Sequence, residues 1–367
     1  MTRRLFFCSL LSLLIALPAA AQSRDALPVP DIPGYKTLKC DFHMHTVFSD
    51  GEVWPTTRLA EAWRDGLDAI SITDHAWYYP HEKDVTPDIG RPYAIAKPLA
   101  DRMGIILVPG VEVHEGDQHF NILFVSDHNA YKGLPLREAL RKARGENAFA
   151  FWNHPGWKQK AIWFPLVASV YDEKLIQGME IVNGPTFYSE ALPWVEQRSL
   201  TIMANSDVHA PIGMDYSRPR TRPVTLVFAA TADLAGIKEA LFVRRTAAWL
   251  GEEVWGSEEI LRGLVRGAIT PEPSQLQFGP GVRQAGLKVR NRSAIPLRFR
   301  VLKRPEWARL STPEIRPESI TGVVLSVTSD APAGKQTAEF QLEISNLHTP
   351  DGLSLVVPAS LSLDIQK

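Results

Sequence analysis

Leu38-Lys39-Cys40-Asp41-Phe42-His43-Met44-His45, followed by Ser49-Asp50-Gly51, is the stretch that decides the fold. On a strand, residues two apart face the same side, so His43 and His45 present two imidazoles to one point. Alone, such a pair could also be chance or a satisfied surface pair. Its meaning depends on what the chain places at the ends of its other strands.

Outward from this point, strand-like apolar runs alternate with helical patterns up to about residue 265. The runs are Leu38–Met44, Ala69–Thr73, Ile105–Val113, Phe120–Val125, Phe149–Asn153, Met179–Val182 and Thr201–Asn205. Thr56–Arg64, Pro135–Arg144 and Leu234–Val243 carry amphipathic helical patterns. Little polar alternation within the runs suits strands buried on both faces. Strands alternating with helices predict an α/β barrel, with chemistry at the C-terminal strand ends. After Gly267 the helical period vanishes, and Pro271, Pro273 and Gly279-Pro280 mark a linker. Period-two runs then follow, as in Leu287–Val289, Leu297–Val301, Gly322–Val327 and Glu339–Ile344, and predict a β-sandwich. The expected units are a barrel over 30–267 and a small all-β, immunoglobulin-like accessory sandwich over 275–367.

The ends of the runs are where the polar residues gather. Thr73-Asp74-His75 closes the second run, Gly110-Val111-Glu112 lies in the third, and His119 opens the fourth. Asn153-His154-Pro155 follows the fifth, and Asn205-Ser206-Asp207-Val208-His209 ends the last. Six of the ten histidines therefore sit at strand ends, where core histidines would be scattered. Histidines and carboxylates converging in this way predict metal ligands. Cys40, in an apolar run, reads as small core filler.

Taken in order, His43-x-His45, Ser49-Asp50-Gly51, Thr73-Asp74-His75, Gly110-x-Glu112, His119, His154-Pro155 and Asp207-x-His209 resemble the polymerase-and-histidinol-phosphatase (PHP) family. The resemblance covers roughly residues 38 to 265. It implies a distorted (β/α)7 barrel, three divalent metal ions and phosphoester hydrolysis. By position, it implies a first metal on His43, His45, Glu112 and Asp207, and a second on the bridging Glu112 with His119 and His154. The third would lie on Asp50, His75 and His209. Some family members carry histidine where this chain has Asp50, which keeps a ligand and adds negative charge. Imidazole and carboxylate donors suit Zn, Mn or Fe alike. Such a site activates a bridging water as the hydroxide nucleophile. The expected catalytic positions are Glu112, Asp207 and His209, with Asp74 either orienting an imidazole or capping its strand end.

Substrate contacts are expected from the long loop after His75. There Trp77, Tyr78 and Tyr79 either line a leaving-group pocket or pack the loop down. Arg91 is a phosphate contact or a solvated arginine, and His114 a substrate contact or a strand-end histidine. His81, His128 and His348 lack comparable partners and read as structural or solvent-facing.

Charge and targeting narrow the function. The formal net charge is −1, so no basic field gathers a nucleic-acid polymer. Arg3 and Arg4, an apolar run from Leu5 to Leu17 and Ala19-Ala20-Ala21 predict a signal peptide over 1–21. That run is shorter than the ~20 residues that span a bilayer, so no membrane anchor is expected and the mature chain would be periplasmic or secreted. Its removal takes Cys8 with it and leaves Cys40 unpaired. The leading expectation is a phosphodiesterase acting on small organic phosphodiesters. A phosphomonoesterase and a non-catalytic, metal-stabilised binding protein are the alternatives.

Overall fold

The computed structural model describes residues 23–216 and 222–366; the expected signal segment lies outside them. Among the described residues, no helix is long and apolar enough to cross a membrane.

The first half runs β1 (Lys36–Asp41), α1 (Pro55–Arg64), β2 (Ala69–Ile70), α2 (Arg91–Met103), β3 (Ile106–Leu107), β4 (Gly110–Glu115) and β5 (Gln118–Leu123). It continues through α3 (Leu136–Gly145), β6 (Phe149–Trp152), α4 (Pro165–Asp172), β7 (Gly178–Asn183), β8 (Thr186–Phe187), α5 (Leu192–Gln197) and β9 (Thr201–Asn205). β1 pairs in parallel with β2, and β4, β5, β6, β7 and β9 are linked edge to edge. Two isolated parallel bridges, His75↔Glu112 and Met44↔Val208, join these two arcs. The ring of β1, β2, β4, β5, β6, β7 and β9 therefore closes as a distorted seven-stranded α/β barrel. Both closing bridges involve or adjoin residues that the sequence marks as ligands, so the barrel closes at its chemistry.

Two details depart from the expected alternation. The run Ile105–Val113 is two strands, β3 and β4, separated at Pro109, which has no N–H for a ladder. β4 then turns straight into antiparallel β5 through Gly116-Asp117, with Gly116 at φ 60°, where a helical crossover would otherwise stand. That hairpin sets Glu112 and His119 on neighbouring strands.

The chain goes on through α6 (Ile212–Asp215), β10 (Val224–Ala229), α7 (Leu234–Phe242), β11 (Thr246–Leu250), β12 (Glu253–Gly256) and α8 (Glu258–Ala268). β10 pairs antiparallel to β1 and carries β11 and β12 outward as a flank. α8 starts cleanly: the Ser257 side chain accepts from Ile260 N–H, and Glu258 and Glu259 fill the first turn.

From β13 (Ile269–Glu272) the structure is all strand: β14 (Gln275–Phe278), β15 (Gln284–Asn291), β16 (Phe299–Lys303), β17 (Ala308–Leu310), β18 (Ser319–Val327), β19 (Gly334–His348) and β20 (Ser354–Ile365). One sandwich sheet is β13-β15-β18-β17, and the other holds β14, β20, β19 and β16. Inward positions such as Leu287, Val289, Val323, Leu325, Phe340 and Ile344 are buried between them. β19 also pairs in parallel with β12, Val254↔Leu347 and Trp255↔His348, so this second sheet runs on into the barrel's flank. One apolar cluster accordingly includes Leu59, Trp249 and Val254 together with Leu276, Phe340 and Leu347.

Candidate metal centre

The nine residues expected as ligands come together at one mouth of the barrel, mostly at or just beyond the C-terminal ends of its strands, with His119 at the start of antiparallel β5. His43 and His45 follow β1, His75 follows β2, and Glu112 and His119 lie on β4 and β5. His154 follows β6, and Asp207 and His209 follow β9. Asp50 comes from the loop after His45, folded back by Ser49 N–H and Gly51 N–H donating to Thr46 O. A Cβ at Gly51 would stand 2.5 Å from the carbonyl carbon of His45, so only glycine fits that return.

His43 Nε2 and His45 Nε2 each lie 3.0 Å from Asp207 Oδ1. Glu112 Oε1 is 3.5 Å from His43 Nε2 and 3.0 Å from His119 Nδ1, while Oε2 is 3.4 Å from His45 Nε2 and 2.7 Å from His75 Nδ1. Asp50 Oδ1 is 3.3 Å from both His75 Nε2 and His209 Nε2. His154 Nε2 stands 3.8 Å from Glu112 Oε1 and from Asp207 Oδ2. These atoms form four overlapping groups with donors within 4.8 Å: His43/His45/Glu112, His43/His154/Asp207, Glu112/His119/His154 and His45/Asp50/His75/His209.

Burial and charge describe the same place. His43, His45 and Glu112 are fully buried. Although desolvation opposes it, the facing imidazoles hold the Glu112, Asp207 and Asp50 carboxyls below the usual carboxylate range. Burial also opposes protonation of His75 and His43, yet Glu112 and Asp50 raise the first to about 10, and Asp207, Glu180 and Glu112 raise the second. His45 goes the other way, to about 3, because burial is joined by the charges of His209 and His75.

His43 Nε2, His45 Nε2, His75 Nδ1, Glu112 Oε2, Asp207 Oδ1 and Asp50 Oδ1 are buried polar atoms close together without a hydrogen-bonded partner. Native interiors leave few such atoms unsatisfied. Converging nitrogen and carboxylate-oxygen donors without hydrogen-bond geometry fit divalent cations, and the donor set contains no sulfur. Two of the residues are also strained: His154 has φ 26° and Asp207 φ 52°. Left-handed backbone in such residues costs of order 1–3 kcal/mol each and clusters at functional sites.

A surrounding shell fixes the donors, and most of it escapes a reading of the sequence. Glu180, fully buried on β7, accepts from His43 Nδ1 at 2.9 Å, Asn205 Nδ2 at 3.0 Å, His154 N–H at 2.9 Å and Asn183 Nδ2 at 2.8 Å. It thereby turns the other nitrogen of His43 toward the cluster. Asn153 Nδ2 donates to Glu112 Oε1 at 2.9 Å and Asn183 Nδ2 to Asp207 Oδ2 at 3.2 Å. Arg58, buried on α1, donates to the carbonyls of His45, Val208, His209 and Ala210 and pairs with Glu61, clamping two ligand loops. Buried Arg222 bridges Asp41 at 2.6 Å and Asp65 at 2.8 Å, and Asp41 in turn accepts from Ser206 N–H and His43 N–H. The available signals are slight: a lone carboxylate in an apolar strand for Glu180, and an arginine on an amphipathic helix for Arg58.

Asp74 does not touch an imidazole. It accepts from Thr46 N–H and Oγ1, both at 2.6 Å, and from Ser49 Oγ at 2.7 Å, and so shapes the loop that delivers Asp50. Neighbours on an extended segment face opposite ways, so Asp74 points away when His75 points in.

The residues expected at the substrate end divide. Trp77 stacks on His114 at 3.8 Å and lies 4.2 Å from His75 and 5.2 Å from His119. Tyr78 is 47% exposed, 6.3 Å from His75. Tyr79 packs the loop instead, donating to Ala76 O at 2.6 Å. Arg91 is exposed at the start of α2, where its charge acts on Asp88 of its own loop. His114 combines both readings, since Nδ1 lies 3.2 Å from Gly116 O while its ring backs Trp77. Trp157, which the sequence does not single out, stands 5.3 Å from His154 and 5.0 Å from His119. Cys40 is buried in the core, and His348 pairs with Glu253 at 2.7 Å, away from the cluster.

Neither a protein-family model nor a curated protein matches the chain. Among solved structures it is similar to a two-domain protein of Bacteroides vulgatus ATCC 8482 described as containing a predicted PHP-like metal-dependent phosphoesterase. That likeness has 36% identity and a TM-score of 0.85, covering 93% of this chain and 100% of the other. A candidate metal-dependent phosphoesterase of Bifidobacterium adolescentis ATCC 15703 aligns at 16% identity over 46% of this chain and 87% of its own, with a TM-score of 0.36. An amidohydrolase of Chromobacterium violaceum aligns at 18% identity over 48% and 89%, with a TM-score of 0.35. The chain belongs to the family of two-domain, PHP-like metal-dependent phosphoesterases.

Proposed function

We propose that this phosphoesterase is an exported phosphodiesterase acting on small organic phosphodiesters with three divalent ions. The observation that carries the reading is the set of buried, unpartnered donor atoms shared among four overlapping ligand groups. His43, His45, Glu112 and Asp207 would hold the first ion, Glu112, His119 and His154 the second, and Asp50, His75 and His209 the third. Bound divalent cations there would supply water activation and offset charge on the phosphoryl oxygens. Zn, Mn and Fe all suit the donors.

The chain's own residues prepare that chemistry. Glu112 and Asp207 each face several imidazoles and hold them in one arrangement. Glu180 keeps Nε2 of His43 aimed inward. His209, with its side chain 38% exposed, lies on the open side beside Asp50. The preference for diesters rests on the cations nearby. Among the described residues, Arg58 is committed to backbone carbonyls, Lys97 to Asp101, and Lys158 to the face of Trp157, which favours a singly charged diester over a doubly charged monoester. The signal-like first 21 residues support export, and the continuous sheet through β12 and β19 supports a structural role for the 275–367 sandwich against the 30–267 barrel.

Hydrolysis of bis-p-nitrophenyl phosphate by the mature protein, with added Mn²⁺ or Zn²⁺ and a His43→Ala control, tests the reading. Metal-dependent turnover that disappears in the variant is expected. Faster turnover of p-nitrophenyl phosphate would reverse the diester preference, and metal-loaded protein inert towards both would refute the hydrolase.

A further inference from the structure

The metal centre is walled asymmetrically. At one end, around Asp50 and His209, side chains are 29% and 38% exposed and polar. At the other, His119 is in ring contact with two tryptophans, Trp77 at 5.2 Å and Trp157 at 5.0 Å. Each indole is held in place by a second group. His114 stacks on Trp77 with an interplanar angle of 18°, and the Lys158 ammonium sits 3.7 Å from the Trp157 ring centroid. Trp157 is nevertheless 37% exposed.

A wider pattern points the same way. Between residues 23 and 216 the exposed large apolar side chains are Trp54, Tyr78, Trp157, Ile162 and Met214. Trp54, Tyr78, Trp157 and Ile162 lie in loop segments that follow Asp50, His75 and His154, and Met214 lies on α6 after His209. Scattered apolar residues on a surface need no explanation, but Tyr78 and Trp157 stand against the centre itself, 6.3 Å from His75 and 5.0 Å from His119.

We infer that the Trp77–Trp157 end of the centre is a subsite for a planar aromatic group carried by the phosphoester. The inference rests on the phosphoesterase reading and names the substrate class of that same site. An aromatic ring lying against these indoles has its phosphoryl group directed toward His119 and His154. Indoles already fixed by His114 and Lys158 lose little freedom when the ring arrives, which favours planar groups over flexible chains of equal apolar area.

Isothermal titration of the metal-loaded full chain with phenylphosphonate, n-butylphosphonate, methylphosphonate and inorganic phosphate tests this without turnover. Phenylphosphonate is expected to bind about tenfold more tightly than methylphosphonate, with n-butylphosphonate well below phenyl. The phenyl preference should fall to within about twofold in Trp157→Ala, whose exposed position tolerates truncation, and partly recover in Trp157→Phe. Equal binding of phenyl and methyl, equal binding of phenyl and butyl, or a preference surviving both Trp157→Ala and Trp77→Ala overturns the subsite while the phosphoester reading stands. Failure of all four ligands to bind overturns the subsite, while the hydrolase reading is judged separately by turnover of bis-p-nitrophenyl phosphate.

Discussion

Replacing Glu180 with glutamine separates what a buried carboxylate does for folding from what it does for metal binding. The carboxylate accepts from His43 Nδ1 and Asn205 Nδ2 through Oε1, and from His154 N–H and Asn183 Nδ2 through Oε2. An amide must turn its NH2 toward one of these pairs. Facing His154, it would strand a backbone donor that cannot rotate, at about 1–3 kcal/mol. Facing His43, it leaves that histidine a way out: the imidazole gives up its Nδ1 proton, accepts from the new amide, and carries its proton on Nε2. Asn205 cannot flip cheaply in compensation, because its Oδ1 accepts from Phe42 N–H at 2.8 Å. The second arrangement should prevail, and it protonates the nitrogen that faces Asp207 and Glu112. The cost therefore falls on metal binding, about 10–100-fold in affinity, with about 1–3 kcal/mol lost in the stability of the metal-free protein. Chelator competition followed by elemental analysis measures the first, and urea unfolding of stripped protein the second. Metal affinity within threefold of the parent would refute the role given to Glu180.

Other perturbations follow from the same contacts. Arg58→Ala leaves Glu61 buried without its partner and frees the carbonyls of His45, Val208, His209 and Ala210, so unfolding free energy should drop by about 3–5 kcal/mol, read from urea midpoints. His128, buried beside Tyr93, is held by burial at about 4, below its free value. From neutral pH down to 4 the unfolded chain takes up this proton while the folded chain does not, so stability falls with pH by up to about 3 kcal/mol. His128→Phe should lack that increment when urea midpoints at pH 7 and pH 4.5 are compared, and an unchanged slope would count against it. Chain ending at residue 268 should be less soluble and melt lower than the full protein, because Val254 and Trp255 lose their strand partners; unchanged behaviour would remove the structural role of the sandwich.

Much of this was legible in residue order. Two periods, near 3.6 and 2, distinguish barrel from sandwich because the hydrophobic pattern is imposed by which face is buried. His43, His45, His75, His154, Asp207 and His209 stand out because strand ends converge in any barrel. The β4–β5 hairpin was hidden, since a run of apolar residues from Ile105 to Val113 does not show that Pro109 interrupts pairing or that no helix follows. Glu180 was hidden differently. Its strand is apolar on both sides of it, and besides nearby Asn183 it is His43, His154 and Asn205, distant in sequence, that reveal a carboxylate with four donors. Asp74 and Tyr79 show the limit of adjacency: each stands beside a residue of the site in sequence, yet bonds to Thr46 and Ala76 respectively.

The pairing of β12 with β19 makes the sandwich a cover for an otherwise open sheet margin. Unpaired strand edges invite other chains to add on, and proteins blunt them in various ways. Here the rest of the polypeptide does so, with His348 stacked on Trp255 and bonded to Glu253 at the seam. Because Trp255 also stacks on Phe187, one residue before Tyr188, which packs over Gly156 near His154, the seam reaches the neighbourhood of the centre through ring contacts. The sandwich thus gives the barrel's flank a protected edge supplied by the same chain. An engineer moving the barrel to a new setting would have to supply a substitute strand along Val254 and Trp255 before changing anything at the histidines.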